Sequence, residues 1–290
     1  MSHRMPHSMP RRLLLLLALT LSSLVHAQAQ VDDLREVQTA RATAMGGAYR
    51  ALGLGTEAVL GNPAAMALWK TYRMELTGGW DLHNKDVEGG LSIMDAKTGD
   101  LAAGLDYHLL SLRSGDSRAT AHYSTLAFAF PLTPGVLIGT SIHYLRLGGA
   151  RPANATTVDA GVLLRLSDGL TAGFSAHNLI DTQNEALTRY YSVHAGYLAG
   201  LLTVAADVRA DFETGDKALY TYSAGAEYIL SQTLPVRFGY TYDGLRKASR
   251  LGMGLGFLTG EGGGFDLGYR HDLGGEKTRM LVLTVKLQVG

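Results

Sequence analysis

From Tyr72 onward, apolar and polar residues alternate with a period of two. In the first segment Tyr72, Met74, Leu76, Gly78, Trp80 and Leu82 share one face, against Arg73, Glu75, Thr77, Gly79, Asp81 and His83. The division recurs along the chain. Leu105, Tyr107 and Leu109 oppose Gly104, Asp106 and His108; Val158, Ala160, Val162 and Leu164 oppose Asp159, Gly161 and Arg165. Near the end, Leu281, Leu283, Val285 and Leu287 oppose Thr284 and Lys286. Successive side chains of a strand point to opposite faces, so each segment reads as a β-strand with one apolar face. About fourteen such segments of roughly 10–12 residues follow one another at intervals of roughly 15 residues, which leaves room only for tight hairpins. Turn signals separate them at Lys97-Thr98-Gly99-Asp100, Pro131 to Gly135, Ser167-Asp168-Gly169, Thr214-Gly215-Asp216, Gly260-Glu261-Gly262 and Gly274-Gly275. The expected architecture is an up-and-down antiparallel meander.

The residues before Tyr72 follow other rules. Arg4, Arg11 and Arg12 precede an apolar run from Leu13 to Val25. Val25-His26-Ala27 or Ala27-Gln28-Ala29 then supplies small residues for cleavage. Residues 1–29 therefore read as an export signal, the apolar run being short for a membrane span. Arg41 to Met66, RATAMGGAYRALGLGTEAVLGNPAAM, is rich in Gly and Ala and almost uncharged. Ala40, Ala44, Ala48 and Ala51 fit one helical face, Gly46 and Gly47 break it, and Asn62-Pro63 marks a turn. The chain thus divides into a signal (1–29), a plug or hatch (30–70) and a β domain (71–290).

An alternating strand can bury its apolar face in a soluble core or turn it toward lipid. Export, strands of spanning length and no later run of about 18 apolar residues favour a barrel that crosses a membrane with strands. Tyr72, Trp80, Tyr107, Tyr144, Tyr190, Tyr191, Tyr220, Tyr242 and Tyr269 fall near strand ends, as interfacial girdles require. A closed barrel also leaves no backbone group unpaired in hydrocarbon. The expectation is an all-β transmembrane barrel of about fourteen strands, in the bacterial outer membrane, with a short N-terminal hatch in its lumen. Charge is balanced, 26 Lys+Arg against 26 Asp+Glu, so nucleic acid is not an expected partner. The chain has no Cys, which rules out disulfides, thiolate metal sites, a Cys nucleophile and a lipid-anchored mature N-terminus.

The RATAMGGAYRAL opening at Arg41 and the Asn62-Pro63-Ala64-Ala65-Met66 close resemble the N-terminal signature of the FadL-like outer-membrane barrels, which include fatty acid transporters and PorV/PorQ-type proteins. The hatch motif carried over by that likeness is Arg41, Met45, Gly46, Gly47, Asn62, Pro63 and Ala64. Between its two elements Glu57 is the only acid. The resemblance implies a hatch folded into the barrel, with Asn62-Pro63 near its return to the wall.

No G-x-S-x-G, P-loop or H-E-x-x-H motif is present, and no cofactor or enzymatic activity is expected. Gly252, Gly254 and Gly256 read as the small face of a strand and not as a dinucleotide fingerprint. Asp106, His108, His143, Asp159, Arg165, His177, His194, Asp207, Arg209, Glu227, Arg237 and Lys286 fall on polar faces and are expected to line the lumen, pairing with one another; no metal site is expected. Leu52, Leu54, Val59 and Leu60 are candidates for an apolar path past the hatch. Two functions fit: passage of a small hydrophobic molecule through a hatch-gated barrel, or a PorV-type docking role with envelope protein partners in a secretion or motility machine. Outer-membrane lipid surrounds the barrel in both.

Overall fold

The strands run β1 Tyr72–Asp81, β2 Val87–Asp95, β3 Ala102–Ser114, β4 Ser117–Thr133, β5 Val136–Leu147, β6 Ala153–Ser167, β7 Leu170–His177, β8 Tyr190–Ala199, β9 Leu202–Asp211, β10 Leu219–Leu230, β11 Leu234–Asp243, β12 Ala248–Leu258, β13 Gly263–Asp272 and β14 Arg279–Val289. Each pairs antiparallel with its sequence neighbours, and β1 pairs with β14 from Tyr72↔Val289 to Asp81↔Met280. The fourteen-stranded barrel is closed. This is a computed structural model that describes residues 37–114, 117–149, 152–244, 246–274 and 278–289. The export signal read over residues 1–29 lies outside the described residues.

Alternation decides which way each side chain points. Leu76, Leu105, Val193, Phe238, Leu255 and Val285 are all more than half exposed on the outer surface. Their inward neighbours Glu75, Asp106, Ser192, Arg237, Gly254 and Thr284 meet the interior. A continuous apolar belt of this kind is a solvent match for hydrocarbon, not for water. Trp80, Tyr220, Tyr222 and Tyr242 ring one end of the belt, and Phe130, Tyr197, Tyr228 and Phe257 the other; all are exposed. Tyr190 departs from the expected girdle. Its register opposite His177 and Asp211 turns it inward, where its ring stacks on His177 at 4.3 Å.

Strand lengths vary more than the periodicity implies, from 8 residues in β7 to 17 in β4. β7 stops at His177 because Asn178 takes a positive φ of 56° and leads into the longest connection, 178–189. That connection lies at the opposite end of the barrel from the start of β1 and the finish of β14. At the latter end the hairpins are short, as at 134–135, 168–169 and 200–201.

Residues 37–68 occupy the interior. Thr39 caps a helix at Ala40–Ala44, its side chain accepting from Ala42 N. The helix ends where Gly46 and Gly47 adopt φ of 64° and 77°, so Ala48 and Ala51 lie beyond it and not on one helical face. A second turn of helix, Ala58–Gly61, precedes Asn62, whose side chain accepts from Ala64 N and opens the 3-10 helix Pro63–Leu68. Trp69, Lys70 and Thr71 then lead into β1.

Candidate functional site: the plugged lumen

The plug fits because the wall facing it has been stripped of side chains. Gly225, Gly239 and Gly252 lie directly opposite one another on β10, β11 and β12, and Gly254 faces Gly268 across β12 and β13. This trough receives the helix Ala40–Ala44 and the turn after it: a Cβ on Gly239 would lie 2.1 Å from the Met45 carbonyl carbon, and one on Gly268 2.3 Å from the Ala40 oxygen. Gly139 and Gly161, paired on β5 and β6, form a second seat for Asn62, Pro63 and Ala64. Backbone approach this close needs glycine on the wall. Alternation along the strand marks Gly252 and Gly254 only as a small strand face. Their partnership with Gly225, Gly239 and Gly268 becomes visible only once the register is known.

Wall side chains satisfy the plug's backbone groups. Ala40 N donates to Thr284 Oγ1 (2.9 Å), Thr241 Oγ1 to Gly46 O (2.5 Å), Thr171 Oγ1 to Ala51 O (2.7 Å), and Arg73 Nη1 to Gly53 O (2.5 Å). A short segment with little helix has many unpaired groups, and the polar inner face supplies their partners.

Charge fastens the plug to one side of the barrel. Arg41 lies 2.9 Å from Glu57 and 3.2 Å from Glu227; Arg237 bridges Glu227 (2.5 Å) and Asp266 (2.7 Å); Lys286 closes the series on Asp266 (2.5 Å). Three cations alternate with three carboxylates, and the chain is neutral. Burial by itself would lower the Arg41 pKa, but Glu227 and Glu57 more than reverse this and hold it above its ordinary value. Arg50 forms a second fastening, 3.0 Å from Asp207, which also accepts from Tyr49 N and Arg50 N. Burial pushes the neighbouring Tyr49 phenol up to about 12.

The expected lumen residues otherwise sort into small groups. His143 Nε2 and His177 Nδ1 both lie 2.7 Å from Asp159 Oδ2, and His194 Nε2 lies 2.8 Å from Asn62 Nδ2. Asp106 meets Ser92 and lies 3.3 Å from His108. Arg209 is half-buried over the Tyr190 ring. Arg165 is the exception: it is exposed at the rim, beside the register shift near the end of β6, and reaches back to Leu68 O (2.6 Å). Ser175 Oγ, His177 and Asp159 have the spacing of a Ser-His-Asp relay, 2.8 and 2.7 Å. However, Ser175 is fully buried and its hydroxyl also donates to Gly61 O, so in this arrangement the group ties the plug to the wall and admits no substrate. Among the described residues, no group of three or more His, Asp or Glu is placed to hold a metal.

Leu52, Leu54, Val59 and Leu60 do not line one path. Leu52 packs with Met45, Ala48 and Ala205, with Leu54 against that group; Val59 packs with Met66 and Leu137; Leu60 packs against Tyr123 and Leu187. Small cavities lie among the described residues, two of them against the plug. One, of about 30 Å³, lies under the 178–189 connection and is lined by Tyr49, Tyr123, His177 and Tyr190 among others; the second, of about 10 Å³, lies beside Gly46 and Gly47. Neither approaches the roughly 150 Å³ that holds a benzene ring.

A closed antiparallel wall, an apolar outer belt and an enclosed polar interior define a membrane-spanning β-barrel with a plugged lumen. The fold is that of the FadL-like barrels. It is shared with the Pseudomonas putida toluene transporter TodX (13% identity, TM-score 0.66, 87% of this chain and 97% of that chain). The Ralstonia pickettii toluene transporter TbuX (14%, 0.66, 87% and 97%) and a Pseudomonas aeruginosa FadL homologue (12%, 0.60, 87% and 98%) have it too. No family model and no curated protein matches the chain.

Proposed function

We propose that the protein is a non-enzymatic barrel of the bacterial outer membrane, delivered by a cleaved signal, that passes a small hydrophobic molecule when its plug shifts. The observation that carries this reading is a separable inner segment of small residues, seated on glycines, within a fold shared with toluene transporters. A fourteen-stranded lumen is too wide for wall side chains alone to fill. Here it is filled by a segment whose displacement would uncover Met45, Leu52, Val59 and Leu60 together. Outer-membrane barrels keep their short turns in the periplasm, and on that rule this reading has the 178–189 connection face outward.

The chain has no cysteine, so a disulfide lock can be introduced cleanly. A Cβ on Gly104 would lie 3.7 Å from Val59 Cβ, within the range a disulfide spans. The double variant V59C/G104C should take up a toluene-sized hydrocarbon into vesicles when reduced and lose that uptake when oxidised. Equal uptake in both states would exclude passage by movement of this part of the plug.

A docking role in an envelope machine is the second reading. The buried ion pairs that fasten the plug and the short hairpins at the β1/β14 end favour it. Affinity purification from native membranes separates the two. Stoichiometric envelope proteins that co-purify equally with the oxidised lock would support docking.

A further inference from the structure

Three adjacent strands carry polar side chains on the outside of the barrel. Outward positions near the 178–189 end hold Thr120, His122 and Ser124 on β4, Arg146 on β5, and Asn154 and Thr156 on β6, all exposed or half-buried. Toward the other end of the same strands the outward positions are apolar, among them Phe128, Phe130, Ile138 and Leu164. Register brings the polar group together. Arg146 stands directly opposite His122 on one side and Asn154 on the other, and the next row toward the belt is Ser124, Tyr144 and Thr156. Residues paired in this way have Cβ atoms about 4.5–5.5 Å apart. A cation is thus flanked by an imidazole and an amide, above a row of hydroxyls. Among the described residues the exposed Arg146 guanidinium has no hydrogen bond or ion pair. His122 Nδ1 lies 2.8 Å from the Tyr107 hydroxyl.

Tyr107 and Tyr144 mark the depth of this group. Both are exposed, both stand opposite Ser124, and aromatic rings of this kind gather at the edge of the hydrocarbon. Arg146 lies two residues beyond Tyr144, about 5–7 Å along the wall. The headgroup layer is itself about 5–7 Å thick. A strand that merely protruded into water would carry its charge past that layer, whereas this guanidinium lies within it.

We propose that this face of β4–β6 holds the headgroup of a phosphorylated glycolipid of the surrounding leaflet, with Arg146 on the phosphate. A planar guanidinium forks two parallel hydrogen bonds onto phosphate oxygens. The Asn154 amide and the Ser124 and Thr156 hydroxyls beside it suit the hydroxyls of a sugar. The lipid's chains then lie along the apolar outward residues of the same strands. This inference rests on the membrane-facing outer wall and is independent of whether the barrel transports a hydrophobic molecule.

Native mass spectrometry of the purified barrel in non-ionic detergent, mixed with lipid A, should show one lipid retained per barrel. Lipid A stripped of its phosphates should be retained about tenfold less, as should phosphatidylglycerol, and millimolar inorganic phosphate should displace nothing. Arg146→Gln should lower retention of lipid A by about tenfold. Arg279→Gln is the control: it removes another exposed outward cation at the same end, one set between His271 and Leu82, and should leave retention unchanged. Equal losses in the two variants would reduce the effect to general surface charge and overturn the site. Indifference to the lipid's phosphates, measured on the unaltered protein, would overturn it as well. Displacement by inorganic phosphate, or equal retention of phosphatidylglycerol, would overturn the glycolipid as its occupant. A barrel that inserts into vesicles yet fails these tests would lose the lipid site and keep its membrane-facing wall.

Discussion

Gly239→Val should yield a barrel whose wall is intact and whose plug is unseated. The new Cβ would lie 2.1 Å from the Met45 carbonyl carbon and 2.2 Å from Gly46 N, well inside any real contact. Those neighbours are backbone atoms and cannot rotate aside. β11 cannot yield either, since it is hydrogen-bonded along both edges to β10 and β12. Overpacking a core typically costs about 1–3 kcal/mol, and a clash with fixed backbone lies at or above that range. The plug, held by side chains and a few backbone contacts, is the part that moves. Trypsin should then cut at Arg41 and Arg50, both buried in the native protein, and planar bilayers should record conductance absent from the wild type. Gly89→Ala on β2 is the matched control: its Cβ would meet nothing within 4 Å, and protection should be unchanged. Equal protease resistance in Gly239→Val would mean that the plug does not rest on this trough.

Glu227→Gln should loosen the plug through charge with no change in shape. Glu227 accepts from Arg41 on the plug and from Arg237 on the wall, so removing its charge leaves these two buried cations and the half-buried Lys286 to share Glu57 and Asp266. Breaking a buried ion pair by neutralising one member costs about 3–5 kcal/mol, because the other charge stays desolvated. Hydrogen exchange at residues 40–61 should accelerate accordingly, while the barrel strands keep their protection. Lys70→Ala supplies the contrast. Its pair with Asp100 is exposed, with side-chain accessibilities of 54% and 94%, and its loss should be undetectable. Unchanged exchange in Glu227→Gln would show that the ion-pair chain does not hold the plug.

The barrel was legible because a period of two survives any arrangement of turns. Leu283 and Val285 point outward and Thr284 inward whatever the shear of the barrel, and close hairpins fix the strand order. The plug was legible from composition, since a run with so few large side chains next to a β wall has no core of its own. Tyr190 was misread because its type was weighed over its parity; Ser192 and His194, two and four residues on, share its inward face. Pairings such as Arg41 with Glu227 and Arg50 with Asp207 join residues more than 150 positions apart, and no local pattern encodes them. The glycine trough lies between these cases. Its residues stood on the polar faces of their strands, but only the register aligns Gly225, Gly239 and Gly252. Leu52, Leu54, Val59 and Leu60 suggested a path by hydrophobicity alone, and packing against different walls separates them.

Val285 and Lys286 are adjacent on β14, and together they test most directly which face meets lipid. A spin label at position 285 in the reconstituted barrel should relax with dissolved oxygen and ignore a water-soluble nickel complex. One at position 286 should be shielded from the oxygen-rich hydrocarbon. The reverse pattern would mean that the apolar surface is a core and the charged one faces solvent, and that no membrane surrounds this protein.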